Sequence, residues 1–214
     1  MAWSALKKLK EIRAAEIAGP PRPITQATVF KVIDIIEKLP WHPTRTWGNR
    51  PLSKITEIII HQAAANGATA KNVNKYHITP SADKDGDGVI KSWERNHLSD
   101  KGAPHIAYHY VVETDGKVYQ ANKLTSVTWH AKGHNTKAIG ILITGYFKGP
   151  DHENANEPTE AQLKSLVNLL DYLQDDFPTI EKTKYLGHSE VDSVHKAACP
   201  GYTLMETLKK WRTF

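Results

Sequence analysis

The chain has 214 residues, 40% hydrophobic and 24% charged, with one cysteine and a net charge of +5. That is ordinary globular composition, enough for one catalytic-sized domain with a modest extension, and a lone cysteine excludes an internal disulfide. No run approaches the roughly 18 apolar residues of a membrane span, and the N-terminus lacks the apolar core of a secretory signal. The mild basicity suits an anionic envelope surface. With no zinc-finger spacing, no RNA-binding aromatic motif and no Lys/Arg run longer than the pair Lys7-Lys8, a nucleic-acid partner is not expected.

Residues 1–18 read as a short basic helix with Trp3, Leu6, Leu9, Ile12 and Ile17 over a wide arc that Lys10, Arg13 and Glu16 interrupt. Such a helix either contacts an envelope surface or packs on the domain. Gly19-Pro20-Pro21-Arg22-Pro23 is a stiff break, so 1–23 forms a helix-and-linker unit. Over 24–50 a helical extension is expected, with Val29, Val32, Ile33, Ile36 and Leu39 on one face and an end at Pro40.

The domain over 51–214 then alternates strand and helix. Strand Ile55–His61 leads to a helix around Thr69–Tyr76, and after an insertion at 79–104 strand Ala107–Glu113 turns through Thr114-Asp115-Gly116 into strand Lys117–Gln120. Ala138–Thr144 is apolar on both faces, as a central strand should be. A capping box from Thr159 to Gln162 opens a helix that buries Leu163, Leu166, Val167, Leu170 and Leu173. Strand Lys184–Gly187 and a helix around Leu204–Trp211 close the domain. The pattern predicts an α/β fold, a central mixed sheet flanked by helices.

Three residues stand where zinc ligands would be placed. His61 closes the apolar run Ile55-Thr56-Glu57-Ile58-Ile59-Ile60, His188 follows Tyr185-Leu186-Gly187, and Cys199 precedes Pro200-Gly201 in a turn that presents its sulfur. Two imidazoles and one thiolate leave the fourth tetrahedral position to water, which separates a catalytic from a structural zinc site. A second constellation lies in the insertion. Asp83-Lys84-Asp85-Gly86-Asp87-Gly88-Val89-Ile90-Lys91-Ser92-Trp93-Glu94 fits the twelve-residue EF-hand loop. It implies a structural calcium held by Asp83, Asp85, Asp87, the Val89 carbonyl and Glu94; the alternative is a solvated acidic turn.

With these residues in place, the chain resembles the zinc-dependent N-acetylmuramoyl-L-alanine amidases of the type 2 class. These include small phage lysins and share their fold with animal peptidoglycan recognition proteins. The resemblance runs from about Pro51 to the C-terminus. It rests on Ile58-Ile59-Ile60-His61, on Ile106-Ala107-Tyr108-His109-Tyr110-Val111-Val112 followed by Asp115-Gly116-Lys117-Val118-Tyr119, on Trp129-His130-Ala131-Lys132-Gly133-His134-Asn135, on Ala138-Ile139-Gly140-Ile141, and on the His188–Cys199 segment, in the family's order.

The resemblance implies that Tyr108 faces the metal while His109 packs in the core, and that His130 contacts sugar or stem peptide near the site's mouth. Phage members commonly carry a lysine two residues before the cysteine; here that residue is Ala197, which leaves Lys196 or His195 to stabilise the oxyanion. A glutamate that some members carry after Ile-Gly-Ile is replaced by Leu142. The implied function is a monomeric peptidoglycan amidase with zinc, held in the host cytoplasm until lysis and then acting in the periplasm and wall. The rival is a muropeptide-binding module without catalysis, and a third reading is a regulator that binds another protein. Binding-only relatives typically lose the cysteine ligand, and Cys199 is present.

Overall fold

The computed structural model describes residues 30–147, 152–153 and 155–214. The expected N-terminal helix, the Pro-rich linker and residues 24–29 lie outside the described residues. Val32–Phe214 gathers into one compact unit, built on strands β1 (Val32–Asp34), β2 (Gly48–Asn49), β3 (Glu57–Gln62), β4 (Tyr110–Val112), β5 (Val118–Gln120), β6 (Ser126–Val127), β7 (Ala138–Ile143) and β8 (Tyr185–Gly187). Its helices are α1 (Ala70–Ile78), α2 (Glu160–Asp176), α3 (His188–Val191) and α4 (Tyr202–Trp211). Among the described residues no helix is long and apolar enough to cross a membrane.

The main sheet runs β1-β5-β4-β7-β3-β8. Only the β4–β5 hairpin is antiparallel; β3–β7, β3–β8, β4–β7 and β1–β5 are parallel pairs. The fold is thus a mixed α/β sheet covered by helices. β3 and β7 are buried at every position, as strands flanked on both sides and covered on both faces must be.

Alternation along β3 divides the chemistry between two faces. Ile58 pairs with Tyr185, whose ring lies 4.7 Å from that of Trp211 in α4. Ile59 packs on the opposite face with Ala131 and Ala138, and His61 shares that second face. On the first face α2 buries Leu163, Leu166, Leu169, Leu170 and Leu173, each contributing roughly 1.5–3 kcal/mol. Leu169 takes the core place expected of Val167, which is half-buried. The helix starts where expected, with Thr159 Oγ1 accepting from the Gln162 N–H and the Gln162 side chain reaching back.

The expected helical extension is corrected. Val32–Asp34 is a strand paired in parallel with Val118–Gln120, and Ile35 and Ile36 turn into the core behind it. The apolar spacing that suggests a helix is met equally by a short β-branched strand followed by a turn, in which the Ile36 N–H donates to Asp34 Oδ1 at 2.9 Å. The compact unit consequently begins before residue 51. Arg50 is buried, donating from Nε to the Leu124 carbonyl at 3.2 Å and from Nη1 to the Asn135 carbonyl at 2.8 Å.

Removing that guanidinium leaves two part-buried carbonyls without their donor and empties a buried site. Arg50→Ala is therefore expected to lower the unfolding free energy by roughly 2–4 kcal/mol. Urea denaturation checks this, and an unchanged midpoint contradicts it.

Candidate metal centre

Register brings the three sequence-predicted ligands together. β8 pairs with β3 so that Gly187 lies opposite Ile60. The next residue along each segment is a histidine, His61 still on β3 and His188 opening α3, and their rings stand 4.3 Å apart. Cys199 arrives on the loop after α3, fixed by the Ser189 N–H donating to its carbonyl at 2.7 Å and by Gln62 Nε2 donating to the Ala198 carbonyl at 2.5 Å. Gln62 also accepts from the Phe147 N–H at 2.5 Å, tying that loop to the end of β7. Gly201 closes the turn at φ 108, where an added Cβ would stand 2.2 Å from the Phe147 carbonyl oxygen. One donor atom each from His61, His188 and Cys199 then lies within 4.8 Å of the others, and Cys199 Sγ is 4.0 Å from His61 Nδ1.

Burial sets the protonation of this trio. It drives the His61 pKa well below the usual histidine value, helped by the neighbouring His130 and His188 rings, and lowers His188 to about 4. Both imidazoles are therefore neutral with a lone pair free. The same burial raises the Cys199 thiol to about 11, so a thiolate forms there only if a cation displaces the proton.

Around the trio the structure distributes the remaining candidates unequally. The Tyr108 ring lies 5.1 Å from His61, and burial, with the Cys199 sulfur nearby, raises its hydroxyl pKa. His109 is buried against the neighbouring strand, its Nδ1 accepting from the Gly140 N–H at 3.0 Å and its Nε2 donating to the Ser126 carbonyl at 3.0 Å. His130 is not at the mouth. It is 6% exposed and lies behind His61, with its Nδ1 3.1 Å from His61 Nε2.

Lys196 and His195 diverge. Burial dominates the shifts of His61, His188, Cys199 and His97, and the nearby positive charge of Lys196 adds a smaller downward pull on each. The exposed His195 turns away to Asp192 Oδ1 at 3.0 Å.

Two features carry little signal in the sequence. Exposed His97 stacks on Tyr76 with rings 5.3 Å apart, within reach of the Lys196 charge, although its sequence neighbourhood reads as plain loop. His105 is fully buried and stacked on Trp41 at 4.3 Å.

The acidic loop gathers only part of its expected ligand set. Carboxylate oxygens of Asp83, Asp85 and Asp87 lie within 4.8 Å of one another. Glu94 does not join them: it is buried, with its two oxygens accepting from the Lys84 N–H at 2.5 Å and the Lys91 N–H at 2.8 Å. Lys91 supplies a cation of its own, its ammonium bridging Asp85 and Asp87 and holding the Asp87 carboxyl below the usual range.

A model of the N-acetylmuramoyl-L-alanine amidase family matches residues 51–202, and the chain belongs to that family. Among its relatives, the endolysin of Escherichia phage T7 is 30% identical over 122 residues, spanning 57% of this chain and 71% of that protein. N-acetylmuramoyl-L-alanine amidase of Homo sapiens is 30% identical over 132 residues, 58% of this chain. The chain spans only about a fifth of the length of the mammalian amidases it matches. Among solved structures, the Ph2119 endolysin from the Thermus scotoductus MAT2119 bacteriophage Ph2119 superposes with a TM-score of 0.60 at 18% identity, covering 85% of this chain and 99% of that one. Drosophila PGRP-LB does so with a TM-score of 0.58 at 16% identity, covering 86% and 95%. These two likenesses establish the fold.

Buried neutral histidines also make stability depend on pH. His77 and His109 are both lowered to about 3 by burial, against about 6.5 in an unfolded chain. Between those values the unfolded chain binds protons that the folded one refuses, so stability present at neutral pH is lost as pH falls from about 6.5 toward about 3. The urea midpoint is expected to drop from pH 7.5 to pH 4.5, and to drop less in His109→Gln. An equal drop in the two proteins contradicts this.

Proposed function

We propose that the protein is a zinc-dependent peptidoglycan hydrolase that cleaves the amide between the lactyl group of N-acetylmuramic acid and L-alanine, serving as a phage endolysin. The observation that carries this reading is the convergence of His61, His188 and Cys199 donor atoms at the rim of the sheet, with no fourth protein ligand among the described residues. The donor set fits zinc. Bonds of about 2.0 and 2.3 Å to nitrogen and sulfur at tetrahedral angles separate the two donors by about 3.5 Å, near the 4.0 Å between His61 Nδ1 and Cys199 Sγ. When bound, zinc supplies a Lewis acid and brings the pKa of water down to about 7.

The chain's own residues do the rest. Tyr108, kept protonated by its burial, orients the attacking water and holds its own proton at Oη. The Lys196 ammonium faces the tetrahedral oxyanion as charge develops, since its field already reaches the three ligands. His195, turned to Asp192, is left outside the chemistry. His97, beside that charge, is a wall against which stem peptide can lie.

The substrate partner is bacterial peptidoglycan, met by a monomer after release from the host cytoplasm. The endolysin relatives support this reading. The basic N-terminal segment, residues 1–18, is proposed to touch the envelope. Recognition without cleavage remains the rival, because the fold is shared with a recognition protein solved with tracheal cytotoxin; Cys199 favours cleavage. Mass spectrometry of digested peptidoglycan separates them, with free N-terminal L-alanine expected and abolished in Cys199→Ser. New reducing ends, or no product at all, would refute the assignment.

Within that chemistry, Tyr108→Phe and Lys196→Ala are each expected to lower kcat by roughly 10²-fold, and His195→Ala by less than about threefold. Steady-state rates on purified sacculi decide. A wild-type rate in Lys196→Ala, or a His195→Ala as slow as Lys196→Ala, overturns the division of labour between these two residues.

The acidic loop is proposed to bind a structural calcium in place of the Lys91 ammonium. Asp83, Asp85 and Asp87 and the Val89 carbonyl would be ligands, with Glu94 released from its two backbone donors. Calcium at millimolar concentration should then raise the melting temperature by linkage, and Glu94→Gln should remove most of the increase. Coincident melts with and without calcium leave the loop as a turn neutralised by Lys91.

A further inference from the structure

His130 is a buried imidazole behind His61, and its placement is built rather than incidental. β7 carries Gly140 where the ring lies against the sheet, and a Cβ there would come within 2.7 Å of the His130 ring. The ring is held from both ends. Its backbone N–H donates to Asn135 Oδ1 at 3.0 Å, and its side chain spans from His61 Nε2 at 3.1 Å to the Ala138 carbonyl at 3.4 Å.

The hydrogen bonds admit one self-consistent proton arrangement. A carbonyl only accepts, so the proton on His130 sits on Nε2 and points at Ala138. Its Nδ1 is then an acceptor, and His61 must place its own proton on Nε2 to satisfy it. That leaves the lone pair of His61 on Nδ1, the atom nearest Cys199 Sγ at 4.0 Å.

We propose that His130 is a positioning residue that fixes the tautomer and ring orientation of His61, so that Nδ1 is the metal-binding atom before any metal arrives. It acts through His61 and touches neither substrate nor water in the site. Partners of this kind both orient a metal-binding imidazole and raise its basicity, and their loss costs metal affinity about 10–100-fold. The inference rests on the zinc reading of the site but not on the reaction that site performs.

The test uses the full chain, stripped of metal and labelled with 15N in its histidines. Long-range proton–nitrogen correlation at neutral pH should find His61 and His130 both protonated at Nε2. Zinc affinity by chelator competition should fall about 10–100-fold in His130→Leu, and His130→Asn, whose Oδ1 can accept from His61 Nε2, should recover most of it. With cobalt in place of zinc, the thiolate charge-transfer band should persist in the asparagine variant and weaken or shift in the leucine variant. A His61 protonated at Nδ1 overturns the proposal, as does a folded His130→Leu with wild-type zinc affinity. Should the leucine variant fail to fold, the tautomer measured in the unsubstituted protein decides alone. A protein that shows the tautomer and binds zinc yet releases no L-alanine would sink the amidase reading and leave this one standing.

Discussion

The candidate site depends on a gap in one face of the sheet. Where β7 lies beside β3, Gly140 stands opposite Ile59, and its missing side chain admits an imidazole directly onto the backbone. Everything above that ring follows. His130 fills the gap, His61 rests on His130, and His188 reaches His61 because β8 runs parallel to β3 on its other side. The apolar neighbours Ile59, Ala131 and Ala138 close the base of the stack. Water is thereby excluded from the rear of the site, and the imidazoles stay neutral, which is the state a metal needs.

That stack shows what is legible in the chain and what is not. His61 is visible because an unbroken run of isoleucines can only be a buried strand, and the polar residue that ends it must sit at a rim. Cys199 is visible through the turn imposed by Pro200-Gly201. The hairpin at Asp115-Gly116 and the Thr159 capping box are local signals that need no tertiary partner, and both are present in the structure. Val32–Asp34 is hidden because its three-residue pairing with β5 is a long-range fact. Nothing within residues 24–50 distinguishes that strand from one face of a helix. The depth of His130 is hidden for the same reason, since it depends on a glycine across the sheet rather than on Trp129 or Ala131 beside it.

Charge explains the other two outcomes. Lys196 and His195 are adjacent and cannot be told apart by spacing from Cys199, but Asp192 three residues before His195 offers it a carboxylate and leaves Lys196 to face the histidines. In the acidic loop the oxygen pattern alone suggests a cation, while Lys91 in the ninth position already provides one. A sequence motif that counts ligands does not count the lysine among them.

Because amidase and recognition relatives share this fold, the architecture does not separate cleavage from binding, and the proposed zinc shell at Cys199 is what does. X-ray absorption at the zinc edge of the metal-loaded protein addresses that point most directly. One sulfur at about 2.3 Å and two imidazole nitrogens at about 2.0 Å are expected, with a lighter oxygen completing the shell. A shell without sulfur, or one with a fourth protein ligand closing it, would contradict a catalytic zinc held by His61, His188 and Cys199.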